Sequence, residues 1–359
     1  MATTYKILIM GASYGSLLGT KLALAGHNVD LVCLPAEADL INSEGAIVRM
    51  PVKGREGLVE INSKKLSGKM AAGGTTAFDP VNYDLVVLAM QEPQYRSPGV
   101  RELLDAVAAS KKPCMSIMNM PPLPYLKRIS SIDANAIRDC YTDASVWDSF
   151  DPACMTLCSP DAQAFRPPED KVNVLQVRLP TNFKSARFES DAHTAVLRVL
   201  EKDVDASRFD VGGSKIELPV KLKVHDSVFV PLAKWAMLCS GNYRCVQKDA
   251  MRPIKDAVHS DLEASRAVYD WVVKLCVSLG ANPRDMVPFE KIRQRSAVAA
   301  HALVRSTRAG QRRAQHRARG SSGANHRQIQ RHATGCARPD GDAGGWVAGE
   351  KPQEGMMRS

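Results

Sequence analysis

Residues 5–34 constrain this chain more than any other stretch. "YKILIM" is a short apolar run of the kind that forms a buried strand. "GASYGSLLGTKLALAG" opens on a glycine turn and continues with Leu17, Leu18, Leu22 and Leu24 at helical spacing, and "HNVDLVCL" is a second apolar strand. Gly26 ends the helix, because glycine adopts the left-handed cap without a Cβ penalty. Strand, turn, helix and strand in that order make a βαβ unit, whose two strands run parallel.

The same alternation continues. "YDLVVLAM" (83–90) predicts a strand, "SPGVRELLDAVAAS" (97–110) a helix with proline near its first turn, and "KPCMSIMNM" (112–120) another strand. Strands and helices of this length predict a parallel sheet covered on both faces. Residues 121–230 are less periodic, with prolines clustered in "MPPLPYL" and "FRPPED"; strands are predicted over "VNVLQVRLP" and "KIELPVKLKV", and a helix over "SDAHTAVLRVLEKDV". From 230 to 280 the pattern turns helical, in "VPLAKWAMLCSGNYRCV" and "SDLEASRAVYDWVVKLCVSLG". The expected class is α/β, with a Rossmann-type dinucleotide-binding domain over 1–220 and a mainly helical domain over 221–291. No internal repeat of solenoid period is visible.

A formal charge of +10 invites a nucleic-acid reading, but the charge is concentrated at one end. Residues 292–359 hold 13 Lys and Arg against 4 Asp and Glu, leaving 35 and 34 upstream. The first 291 residues carry only +1. A near-neutral body argues against a phosphate-binding face, so no nucleic-acid partner is expected. The start "MATTYKILIM" has no charged region followed by a long apolar core, and no stretch reaches the 18 or so apolar residues a membrane span needs. A soluble, cytoplasmic protein without a membrane partner is expected. The 9 cysteines are scattered in apolar runs such as "LVCLP" and "VKLCVSLG", which fits reduced core thiols. Cys154 and Cys158 lack the second pair a zinc site would want, so no metal site is expected.

A dinucleotide site needs glycines directly after the first strand, so that the backbone can approach a pyrophosphate at the helix N-terminus. Gly11, Ser13 and Gly15 occupy that turn, with Gly19 one helical turn on. The spacing G-x-S-x-G is one residue shorter than G-x-G-x-x-G. Alone it is as well read as a tight turn; between two apolar strands it points to cofactor binding.

Four segments carry a family resemblance. "KILIMGASYGSLLGTKLALAGHNVDLV" resembles the opening of the ketopantoate reductases, and "YDLVVLAMQ" is similar to their strand that ends near the nicotinamide. "SIMNM" sets Asn119 at the asparagine of a "QNG"-like turn. "PLAKWAMLCSGN" is similar to a family helix of pattern W-x-K-L-x-x-N-x-x-x-N, with Lys234 at its catalytic lysine and Asn242 at its second asparagine. The resemblance implies reduction of a 2-keto acid by hydride transfer from NADPH, or from NADH, in a cleft between a Rossmann domain and a helical domain of the 6-phosphogluconate dehydrogenase C-terminal type. Lys234 would polarise the substrate carbonyl and protonate the alkoxide; a surface lysine on an amphipathic helix is the competing reading. Asn242 would orient the substrate, and Gln91 and Asn119 would line the cofactor. Gln91 replaces a lysine of the family and Leu238 its first asparagine. The second strand ends in "CLPAEAD", where Glu37 hints at NAD. Between Asn119 and Lys234 lie 114 residues, a long middle for this family. Either a monomer or a homodimer suits such a fold.

After Lys291 the helical period disappears and Arg, Ala, Gly, Gln and His dominate. Such composition reads as disorder or a basic arm. A third reading shifts the coding frame by one base. Permitted codons for "QHRARGSSGANHRQ" (315–328) then give "NIERVDRLVQTIA", an amphipathic helix, and the segment before it gives a "PSSA" turn. Residues 292–359 are therefore read as a frameshifted translation, which truncates the helical domain and impairs activity. The alternatives in play are an opine-type or other dehydrogenase of the same superfamily, a nucleotide-binding protein without catalysis, and a basic-tailed nucleic-acid binder.

Overall fold

A computed structural model describes residues 3–159, 163–247, 250–291 and 293. The chain enters as β1 (Lys6–Met10), α1 (Tyr14–Leu24) and β2 (Asn28–Val32), with Lys6 opposite Asn28 and Met10 opposite Val32 in parallel register. After α2 (Pro35–Glu44), a hairpin of β3 (Ile47–Pro51) and β4 (Leu58–Asn62) leaves this sheet, and β5 (Met70–Gly73) returns to it beside β2. Next come β6 (Leu85–Leu88), α3 (Val100–Ser110), β7 (Cys114–Ile117), the short α4 (Leu123–Leu126) and β8 (Met155–Ser159). A second excursion, β9 (Gln163–Phe165) and β10 (Val174–Leu179), precedes β11 (Phe183–Ala186), α5 (Asp191–Ala206), a β12 (Phe209–Val211) to β13 (Ser214–Ile216) hairpin, and β14 (Leu222–His225).

The main sheet has the order β14-β11-β8-β7-β6-β1-β2-β5. From β8 to β5 every neighbouring pair is parallel, β11 runs antiparallel to β8, and β14 parallel to β11. This is a Rossmann-type sheet with two added strands. The expected cover on both faces is present. Ile7, Ile9, Leu85, Val87, Met115 and Ile117 enter one core; Leu8, Met10, Val86, Leu88 and Cys114 enter the other, with Leu104 of α3 and Trp147.

The two excursions meet in a second sheet of order β4-β3-β10-β9, Ile47 lying opposite Val174. This pairing across more than a hundred residues has no local signal in the sequence. The sheet closes over α1, which also touches α5 and the main sheet. From Gly15 to Ala23 every residue of α1 is therefore buried, as a helix apolar on all sides requires. Leu17, Leu18 and Leu22 contribute roughly 1.5–3 kcal/mol each through burial.

The segment "KIELPVKLKV", predicted as one strand, is two. Pro219 lacks an N–H to donate, and Val220 takes φ of +66°, a left-handed conformation rare for a β-branched residue. The helical part follows β14. Residues 231–245 are one run of helical turns: a 3₁₀ turn (Pro231–Ala233), α6 (Lys234–Met237), a π turn (Leu238–Asn242) and a second 3₁₀ turn (Tyr243–Cys245). Then come α7 (Ile254–His259) and α8 (Leu262–Ser278), the latter capped by the Asp261 carboxylate, which accepts from Ala264 N–H at 2.8 Å. No helix among the described residues is long and apolar enough to cross a membrane. All of the 292–359 segment except Arg293 lies outside the described residues.

Lys21 is the charged residue inside α1. It is 2% exposed, and its Nζ donates to Leu218 O at 3.0 Å. Burial first, then Lys221, pushes its pKa down to about 8 from the ordinary 10.5. Below pH 8 the folded protein carries a penalised charge, and above 10.5 neither state carries one. Stability should therefore rise between these values, relative to Lys21→Met, by on the order of 3 kcal/mol. Urea melts of both proteins at pH 7.5 and 10.5 measure it; equal pH dependence would contradict the assignment.

Candidate active site

The glycine turn joins β1 to α1. Gly11 has φ of +105°, and its N–H donates to Val32 O at 2.8 Å, tying the end of β1 to the end of β2. A Cβ here would lie 2.6 Å from Met90 Cγ and 2.9 Å from Ala89 O, so both backbone and space demand glycine. Ser13 is exposed at the N-cap of α1, and no side-chain hydrogen bond caps that helix. Gly15 is buried; a Cβ on it would stand 2.8 Å from Ile9 Cγ2. The helix N-terminus, with its partial positive charge, opens where the parallel strands end.

Gln91 and Asn119 share this edge. Because β1, β6 and β7 are adjacent and parallel, the turn after β1, Gln91 after β6 and Asn119 after β7 stand side by side. The strand order reverses at β1, which is where open α/β sheets form their ligand crevice. Gln91 is exposed and its N–H donates to Gln94 Oε1 at 2.8 Å. The loop around it is fixed from below. Met90 N–H donates to Tyr95 Oη at 3.1 Å, and the buried Glu92 carboxylate accepts from Thr142 N–H at 3.1 Å and Thr142 Oγ1 at 2.7 Å. Asn119 differs: its Oδ1 is buried without a hydrogen-bond partner. Leaving such an acceptor unmet costs about 1–3 kcal/mol, which a donor on a ligand would recover.

Lys234 begins α6, half-buried, and Asn242 ends the π turn, exposed. In a uniform α-helix, residues eight apart sit about 80° apart around the axis. The wider π turn takes back part of that offset and brings the two positions toward one face. Leu238 between them is buried. The run is tied to the strand edge through α4, which follows Asn119: Tyr125 Oη donates to Val228 O, just before Pro231. Met118, Leu232 and Ala236 share one core.

One pair of residues here went unforeseen. Glu37, in the first turn of α2, forms an ion pair with Arg166, which follows β9 in the second excursion. Arg166 Nη2 also donates to Ala12 O at 3.0 Å, so the insertion reaches the glycine turn itself. Glu37 was legible as an acid near the end of β2; nothing local marks Arg166. A surface hollow of about 510 Å³, lined by Thr75, Phe78, Gly99 and Leu103 among others, contains none of the predicted site residues. Among the described residues no group of three His, Cys, Asp or Glu could hold a metal ion. No disulfide joins the eight described cysteines.

Solved structures share this architecture. The 2-dehydropantoate 2-reductase of Methylococcus capsulatus superposes with a TM-score of 0.55 over 92% of this chain and 95% of that one, at 11% identity. The chain has the ketopantoate reductase fold. A ketopantoate reductase from Ralstonia eutropha JMP134 (TM-score 0.45, 12% identity, 83% of this chain and 80% of that one) and a dimeric one from Staphylococcus aureus (0.45, 8%, 92% and 98%) are also similar. No protein-family model matches the chain, and no curated protein matches it in sequence. At such identities the likeness to ketopantoate reductases concerns the backbone, so the chemistry rests on this chain's own residues.

Gly11→Ala should destabilise the protein by roughly 1–3 kcal/mol, through positive φ and overpacking. Adding Met90→Ala should recover only part of the loss, because Ala89 O is backbone and stays 2.9 Å away. Denaturant melts of the single and double variants decide; full recovery would place the whole cost in the side chain.

Proposed function

We propose that the chain binds a reduced nicotinamide dinucleotide along the ends of β1, β6 and β7 and reduces a 2-keto acid to a 2-hydroxy acid. The observation that carries this reading is the alignment of Gly11, Gln91 and Asn119 on adjacent parallel strands beside the N-terminus of α1. The residues present fit such a group: a glycine turn at positive φ, a helix start without a side-chain cap, and a buried Asn119 oxygen in want of a donor. When bound, the dinucleotide supplies a hydride.

Gly11, Ser13 and Gly15 would hold the pyrophosphate, their backbone giving close approach and the α1 N-terminus a favourable field. Asn119 and Gln91 would fix the nicotinamide half. Lys234 would hydrogen-bond the keto oxygen, stabilise negative charge as it develops there, and transfer its proton to the alkoxide. Asn242 would orient the substrate. The assignment of Lys234 and Asn242 rests on the sequence motif, and their shared helical run beside the strand edge supports it.

Leu238 favours a second reading. A buried leucine replaces a hydrogen-bonding group, which suits a bulkier or less polar carbonyl or imine, as in an opine-type dehydrogenase. A panel of 2-keto acids of increasing side-chain size, with and without an amine, separates the two. Residues 292–359 we take as frameshifted, leaving the helical domain short of part of its substrate wall. Resequencing codons 285–300 should show one base more or fewer than this chain requires; coding DNA that agrees base for base would remove that proposal.

Oxidation of the reduced dinucleotide should depend on an added 2-keto acid. Lys234→Ala should lower kcat by about 10²–10⁴ while dinucleotide binding is retained. Unchanged kcat in that variant would contradict the role given to Lys234.

A further inference from the structure

The end of β2 is where a Rossmann site meets the adenosine ribose, and an acid about 20 residues beyond the glycine turn reads a free 2′-hydroxyl, whereas an arginine accommodates a 2′-phosphate. Both residue types are present here. Glu37 lies 22 positions after Gly15, and Arg166 reaches it from the far side of the insertion.

Their hydrogen bonds decide between them. Arg166 Nη2 has two hydrogens, and its two partners are Glu37 Oε1 and Ala12 O. Nη1 of the same guanidinium donates to Val172 O. The cation is thus held by one carboxylate and two carbonyls, and its charge is compensated. A 2′-phosphate would have to pull Arg166 off Glu37 and then sit beside the bared carboxylate. A ribose hydroxyl needs neither step, since Glu37 Oε2 can accept from it while Arg166 keeps Oε1.

Cys33 lies directly after β2. Its thiol is pushed up to about 12 by burial first, then by the negative charge of Glu37, with Arg166 opposing more weakly.

We infer that Glu37, braced by Arg166, makes the site select the dinucleotide with an unphosphorylated adenosine ribose, NADH over NADPH. This rests on the dinucleotide reading of the glycine turn. Glu37 is the specificity-determining group, and Arg166 a positioning residue delivered by the β9–β10 excursion.

The test is equilibrium binding, free of turnover. The full chain and its variants are titrated with NADH and with NADPH by calorimetry, and the ratio of the two Kd values is taken within each protein. The wild type should bind NADH about tenfold or more tightly than NADPH. Glu37→Gln removes the carboxylate and frees Arg166, so the ratio should move toward NADPH by about a hundredfold. Glu37→Gln with Arg166→Ala should lose that gain, which a merely structural role for Arg166 would not predict. Equal or tighter NADPH binding by the wild type, or an unchanged ratio in Glu37→Gln, would overturn the inference while leaving the dinucleotide reading intact. Binding of neither nucleotide would overturn that reading, and the inference with it. Should Glu37→Gln fail to fold by its thermal melt, Arg166→Ala alone gives the second arm: it should weaken NADH binding without improving NADPH.

Discussion

Helix α1 touches the strands beneath it through glycine. A Cβ at Gly15 would meet Ile9 at 2.8 Å and force a shift, and one at Gly19 would crowd Met70 at 3.0 Å and Val29 at 3.1 Å, so glycine lets the helix lie close against the strands. That contact brings the helix N-terminus down to the strand ends, where its unpaired N–H groups face the crevice. It also leaves the outer side of α1 apolar and in need of cover. The second sheet and α5 supply it.

The same cover has two consequences at a distance. One is the burial of Lys21, a charge enclosed with a single carbonyl partner because the helix has no face left to solvent. The other is that the β9–β10 excursion, recruited to pair with β3, ends over the glycine turn and places Arg166 on Ala12 and Glu37. A segment whose packing role is to shield a helix thereby reaches the proposed nucleotide site. The polar lining of that site owes less to individual side chains than to topology: β1, β6 and β7 deliver Gly11, Gln91 and Asn119 together whatever residues follow each strand.

Elements with a local period were legible in the sequence. The βαβ unit of residues 5–34, strands β6 and β7, and helices α3, α5 and α8 each announce themselves by apolar spacing, because burial on one face or two imposes that spacing. Strand β10 was legible in "VNVLQVRLP", but its sheet was not, since β3 and β10 find each other across a long stretch of chain. The break at Pro219 and Val220 was foreshadowed by the proline alone. Among the candidate residues, Gly11, Gly15 and Asn119 were expected from motif alone, and the strand order sets them along one edge of the sheet. The π turn between Lys234 and Asn242 and the Arg166 contact could not be read, because both depend on packing partners that no short window contains.

Hydrogen exchange with and without NADH, followed at the level of single peptides, tests the site as a unit. The account predicts that added NADH protects amides in three separated segments together, the turn at 11–16, the loop at 89–92 and the stretch at 118–120. Protection confined to one of them, or falling on the hollow around Thr75 and Gly99 instead, would contradict it.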